Sequence, residues 1–110
     1  MNETELANAA VQIREAYEKG NEIGRKILTD TIELGNILLE VKGSMSHAEF
    51  LPWCMSNLDF RFYKAVRYMN TAKKYKNKEL PEGLELLKEV LELTEPMRKN
   101  ETIDKLVKQY

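Results

Sequence analysis

The strongest constraint on this chain is a repeat of small and apolar residues that runs through its first third without a break. Leu6, Ala10, Ile13, Tyr17, Gly20, Gly24, Ile27, Thr31, Leu34, Leu38 and Val41 follow one another at steps of four and three. That spacing is the seam of a coiled coil or of a long antiparallel helix pair. It predicts one helix over about residues 3–42, several times the ~11–12-residue average. The middle of the seam is thin. Gly20, Gly24 and Thr31 offer little apolar area, and each Gly costs up to ~1 kcal/mol against Ala in a helix. Either the glycines let another helix approach closely, or the segment breaks near Gly20 into two helices. A continuous or gently bent helix is the expectation. A helix of this length cannot bury its stripe alone. Leu6, Ile13, Tyr17, Gly20, Gly24 and Ile27 are therefore candidate packing positions, against later helices, a second copy or a partner protein.

Gly43 marks the end of the long helix as a C-cap. Ser46-His47-Ala48-Glu49 fits a capping box, so a short helix should run to about Asn57 and bury Phe50, Trp53 and Cys54. Pro52 should kink or distort it, because Pro removes one backbone donor. Asp59 can cap the next helix, which holds the basic run at 60–78. Two short helices joined so tightly have the shape of a helix-turn-helix. Pro81 suits a first helical position. Leu84, Leu87, Val90, Leu91 and Leu93 then give an amphipathic helix to about Glu95, where Pro96 stops it. Ile103, Leu106, Val107 and Tyr110 mark a last helix with Asn100 as its cap. Strand signals are nearly absent. The expected fold is all-α: residues 1–43 form a long helix acting as a packing or dimerisation arm, and residues 44–110 form a helical domain of short helices. With 110 residues, 43% hydrophobic and 32% charged, the chain suits one such domain plus an extension.

Charge is unevenly placed. The formal net charge is -1, yet residues 60–78 hold seven Lys or Arg and no Asp or Glu. Read as a helix, this run puts Phe62, Ala65, Val66, Met69 and Ala72 on an apolar stripe. Lys64, Arg67, Thr71, Lys74 and Lys78 fall on the opposite face, with Arg61 at its start and Tyr63, Tyr68 and Tyr75 at its edges. A cationic ridge edged by phenols suits phosphates, through charge and stacking. Arg61, Lys64, Arg67, Tyr68, Thr71, Lys74, Tyr75 and Lys78 are the candidate contacts to nucleic acid or to an anionic partner. Thr71 and Asn70 would reach base edges only if the helix enters a groove.

Chemistry of other kinds finds little support. One His and one Cys cannot build a zinc site. His47 and Glu49 lie two apart, which points them to different sides of a helix. No phosphate-loop or nucleophile-elbow motif occurs. Trp53 and Phe50 read as core. Glu82, Glu85, Glu89 and Glu92 read as a solvated face. No catalytic residue, metal ligand or cofactor is expected, and the chain reads as a non-enzyme. No stretch approaches the ~20 apolar residues of a membrane span. The acidic start is not a secretory signal, and the single Cys54 suits a reducing compartment, so the expected location is the cytoplasm.

His47-Ala48-Glu49-Phe50 with Trp53, followed by Phe60 and then Ala65, Tyr68, Met69 and Ala72, resembles a family of uncharacterised proteins carried by phages and other mobile elements. The family's pattern is a long helix ending in G-x-x-L with a Lys a few residues on, met here by Gly35, Leu38 and Lys42. It continues with H-G-E-F-x-x-W and an F-S-x-R-T-A-like turn into Y-M-x-x-A. The likeness covers about residues 30–75. Ala48 replaces the family's Gly, and Arg61-Phe62-Tyr63-Lys64 replaces its Ser-x-Arg-Thr. The family is similar to helix-turn-helix regulators, which implies a helical fold and a mobile-element origin. The expected function is a small nucleic-acid-binding regulator that uses the basic helix and dimerises through the long one. The alternative is a phage-encoded inhibitor that docks on a host protein, such as a component of bacterial immunity; a third reading is a structural helical dimer with no charge-driven ligand.

Overall fold

A computed structural model describes residues 1–110 as five helices and no strand: α1 (Glu3–Gly43), α2 (His47–Asn57), α3 (Phe62–Lys74), α4 (Gly83–Thr94) and α5 (Ile103–Leu106). The predicted long helix forms without interruption through Gly20 and Gly24. Asn2 caps it, its Oδ1 accepting from the Glu5 N–H at 2.8 Å. Glu3 and Glu5 occupy the first turn and Lys42 the last, each sign suited to the helix dipole. The molecule measures 66 × 29 × 21 Å, and its radius of gyration is 18.7 Å. A compact chain of this length would have about 13 Å. The difference is α1, whose first half projects beyond the rest.

Only the second half of α1 is built into the core. Leu28, Thr31, Gly35 and Leu38, at steps of three and four, are its buried positions. They face α3, which packs on all four other helices. Gly35 sits at the crossing. A Cβ built there would lie 2.1 Å from the Tyr68 carbonyl oxygen and 2.8 Å from Ala72 Cβ. Only a residue without a side chain allows the two backbones this approach.

Around α3 the core holds Phe50 and Cys54 from α2, Ala65, Val66 and Met69 from α3 itself, and Leu106 and Tyr110 from the C-terminal segment. Phe50 meets Phe62 edge-on, with centroids 6.1 Å apart. Trp53 packs against this cluster half-buried. Tyr110 is tied down by its hydroxyl, which donates to Asn70 Oδ1 at 2.7 Å.

Several helix boundaries differ from the sequence reading. α2 runs on through Pro52; both Pro52 and Ala48, whose carbonyl loses its i+4 donor, are exposed, so water can serve that carbonyl. Ser46 is the N-cap of α2, but its hydroxyl donates to Glu49 Oε1 at 2.8 Å and makes no bond to a backbone N–H. α3 is capped by the backbone of Arg61, not by Asp59, and α5 by Thr102, not by Asn100. Pro81 precedes α4, which begins at Gly83 with φ +60, a left-handed conformation that favours glycine. No helix is long and apolar enough to cross a membrane.

Candidate functional site

The basic run was the first candidate, and the structure redistributes it. α3 ends at Lys74, and the chain turns at Asn77 with φ 59, so Lys78 lies beyond the helix. Arg67 and Thr71, expected on an outward ridge, are buried. Arg67 is 8% exposed and stands in a closed set of bonds. Its Nε donates to Glu101 Oε2 at 2.7 Å and its Nη2 to Glu101 Oε1 at 2.5 Å. Its remaining N–H groups reach the carbonyls of Glu95 at 2.5 Å and Pro96 at 2.9 Å. Its guanidinium also lies 4.8 Å from the Tyr63 ring centroid. Thr71 Oγ1 donates to the Arg67 carbonyl at 2.8 Å. A planar fork that satisfies a carboxylate and two carbonyls at once holds the 95–101 turn against α3.

Glu101 completes this lock. Burial pushes its carboxyl up, but the Arg67 bonds and the Arg98 N–H, 2.8 Å from Oε1, outweigh that and hold it below the usual carboxylate range. Lys74 is engaged as well, hydrogen-bonded to Glu89 of α4, and that bond raises its pKa. Tyr75 is half-buried, and its phenol is pushed up first by burial and then by Glu89. Tyr68 stacks edge-on against Phe60 at 5.3 Å. Arg67 and Thr71 are therefore internal, and Lys74 is tied to α4 although it is exposed. Arg61, Lys64, Lys73, Lys76 and Lys78 remain with no carboxylate within 4.0 Å. Lys73, which sequence reasoning passed over, shares the Tyr110 ring with Lys42, at 4.3 and 5.6 Å.

His47 and Glu49 are exposed at the start of α2, and no three His, Cys, Asp or Glu side chains converge as a metal site. The Cys54 thiol is buried, and burial pushes its pKa up to about 11. That holds it in the inert thiol form at neutral pH.

The second candidate is α1 itself. Of the expected packing positions, Leu6 is 55% exposed and Ile13 68%, while Tyr17 and Ile27 are also open and Gly20 has nothing within 4 Å of a built Cβ. Gly24 differs. Its close approach is to Leu86 of α4 in the same chain, 3.2 Å from a built Cβ. Seen end-on, α1 carries two seams. The inner one, Gly24, Leu28, Thr31, Gly35 and Leu38, turns toward α4 and α3. The outer one runs Leu6, Ala9, Ile13, Ala16, Gly20, Ile23, Ile27, Leu34 and Ile37, broken only by Asp30. Its large members are exposed or half-buried.

Beside this outer seam α4 presents Leu84, 83% exposed, and Leu87. Together with Gly20, Ile23 and Ile27 they enclose an apolar groove of about 370 Å³. Sequence reasoning missed Ile23, Ile37, Leu84 and Leu87 as surface positions. The signal for the first two was a second 3-4 register that shares Leu6, Ile13, Gly20, Ile27 and Leu34 with the first. For the α4 leucines no signal existed, since an amphipathic pattern does not say which of its residues stay uncovered.

These features define an all-helical bundle with a projecting arm that carries an uncovered apolar face. The chain belongs to the family described as Protein of unknown function (DUF3102), whose model matches residues 7–97, from the arm to just past α4. No curated protein and no solved structure matches it.

Proposed function

We propose that this chain is a non-enzymatic protein-interaction module whose docking surface is the outer face of α1 together with the α1–α4 groove. One observation carries the reading: the large aliphatic side chains of the outer seam, Leu6, Ile13, Ile23 and Ile27, stand exposed in one line beside exposed Leu84 and Leu87. Contiguous apolar surface of that kind is rare on a chain that works alone. A helix laid along it would read anchors at the same three- and four-residue steps. Docking on a host protein would suit the phage or mobile-element kinship implied by the residues around Trp53 and Tyr68, and an inhibitor role with it.

A second reading has its own support. The five unpaired cations Arg61, Lys64, Lys73, Lys76 and Lys78 would contact phosphates of a nucleic acid, with affinity set by charge and lost with salt. This regulator role no longer draws on Arg67, Thr71 or Lys74.

The experiment separates the two. The tagged protein is incubated with bacterial lysate, with and without nuclease, and the same is done with Ile13→Ala, Ile23→Ala. The docking reading expects nuclease-resistant protein association, with a lysate protein or between its own copies, that the double variant loses. In parallel, a 30-base-pair duplex is titrated at low salt. A shift abolished by Lys73→Glu, Lys76→Glu, combined with associations indifferent to Ile13 and Ile23, would refute docking in favour of nucleic acid.

A further inference from the structure

We infer that the occupant of this surface is a second copy of the same chain, its α1 laid antiparallel along the outer seam. The inference rests on the docking reading above and adds the partner and its register.

The flanks of the seam differ in character. On one side lie Tyr17, Gly24, Thr31 and Leu38, which turn toward α4 and α3. On the open side, seven residues apart, lie Glu5, Gln12, Lys19, Lys26 and Glu33. Charges on that flank would face their counterparts in a paired helix. Within residues 2–27 this flank is acidic at one end and basic at the other, a pattern that an antiparallel copy of itself satisfies.

One register satisfies it best. With Leu6 opposite Ile23, Ala9 opposite Gly20 and Ile13 opposite Ala16 of the second copy, Glu5 faces Lys26 and Gln12 faces Lys19. By symmetry each pair occurs twice. Sliding by one heptad sets Leu6 against Asp30, Glu5 against Glu33 and Lys19 against its own counterpart. Sliding the other way leaves Ile23 and Ile27 uncovered. A parallel pair would oppose Asp30 to Asp30. Lys26 already holds Asp30 one turn away at 3.0 Å, but that pair is exposed and readily shared.

The groove agrees with the same register. Its floor is Gly20, Ile23 and Ile27, the stretch that would receive residues 2–9 of the second copy. Leu6 of that copy would enter the groove, with Leu84 and Leu87 at its wall. Each chain thus offers one arm and one groove, and a two-fold axis midway between Ile13 and Ala16 engages both. The overlap spans residues 2–27, about 37 Å of helix, and the facing half of such a helix presents roughly 640 Å². Leu84 and Leu87 add to it, which brings the contact to the order of the ~800 Å² per partner found in stable dimers. The two globular ends lie at opposite ends of the pair.

The test combines mass with cross-linking. Sedimentation equilibrium should give a dimer at tens of micromolar. Lys26→Glu should weaken it about tenfold, as two attractive pairs become repulsive, and adding Glu5→Lys in the same chain should recover most of that loss. Under mild oxidation, Ala9→Cys mixed with Gly20→Cys should cross-link one to the other, while neither should cross-link with itself, because like positions lie about 16 Å, or three turns, apart along the pair. Buried Cys54 stays out of this chemistry. A monomer at 200 µM overturns the inference; the docking reading then survives if lysate protein is still held through Ile13 and Ile23, and falls with it if not. A dimer whose chains cross-link Ala9→Cys to Ala9→Cys, or one indifferent to both charge changes, overturns the antiparallel register.

Discussion

Replacing Gly35 by Ala should be among the most damaging single-methyl changes this chain can suffer. In an open helix that substitution stabilises, by up to about 1 kcal/mol, because Ala is the better helix former and restricts the unfolded chain. At Gly35 the new Cβ would fall 2.1 Å from the Tyr68 carbonyl oxygen, 2.7 Å from the carbonyl carbon and 2.8 Å from Ala72 Cβ. Two of these are backbone atoms, which cannot rotate away. α1 and α3 must separate by about an ångström, and with them the contacts of Leu28 and Leu38 loosen. Overpacking of this kind costs typically 1–3 kcal/mol, with rigid neighbours at the upper end. Net of the helix gain, Gly35→Ala should destabilise by about 2 kcal/mol and lower Tm by roughly 10 °C. Thermal and urea unfolding followed by circular dichroism reads both. Gly43→Ala is the control: nothing lies within 4 Å of a Cβ there, so it should stay within about 0.5 kcal/mol of the parent. A Gly35→Ala protein as stable as the parent, or more so, would refute the close crossing of α1 and α3.

Other perturbations probe other parts of the account. Glu101→Gln leaves the buried Arg67 charge without its counter-ion and should cost about 3–5 kcal/mol, seen as a lower urea midpoint. Because the folded state holds the Glu101 carboxyl below its ordinary value of 4.5, its contribution is complete above that pH and is lost as acid protonates it further down. The parent's stability should therefore fall more steeply below about pH 4.5 than that of Glu101→Gln. The Cys54 thiol, pushed up to about 11 by burial, should resist a disulfide reagent at pH 8 in the folded protein and react at once in 6 M urea. Rapid native-state modification would place Cys54 outside the core.

The helices were legible in the sequence because periodicity is a local property. Leu6 through Val41 declare one long helix whatever packs on it, and the structure forms it whole. Which side of a helix is covered depends on segments far along the chain, and here the sequence reading of α3 went astray. Arg67 and Thr71 lie on the polar side of α3 by pattern, yet Glu101, 34 residues later, returns to pair with Arg67. Its turn has no periodic signal to announce it. The burial of α3 on nearly all sides follows from four neighbours, only one of which, α2, was placed beside it by sequence. For α1 the reverse holds. A second apolar register was present in residues 6–37, but one seam is enough to account for a helix. Only the placement of α3 and α4 on the inner seam shows that the outer one is left over.

The central claim is that the first half of α1 is completed by another chain. A helix that projects without tertiary packing is marginal in water, so its amides owe their protection to whatever covers it. Hydrogen exchange of the segment 6–20, measured at 1 and at 200 µM, addresses this directly. The account predicts slow exchange at the higher concentration and fast exchange at the lower, with residues 28–41 protected at both. In Ile13→Ala, Ile23→Ala the segment should exchange fast at both concentrations, although Ala favours the helix. Protection of residues 6–20 that is the same at both concentrations and in the double variant would contradict the claim.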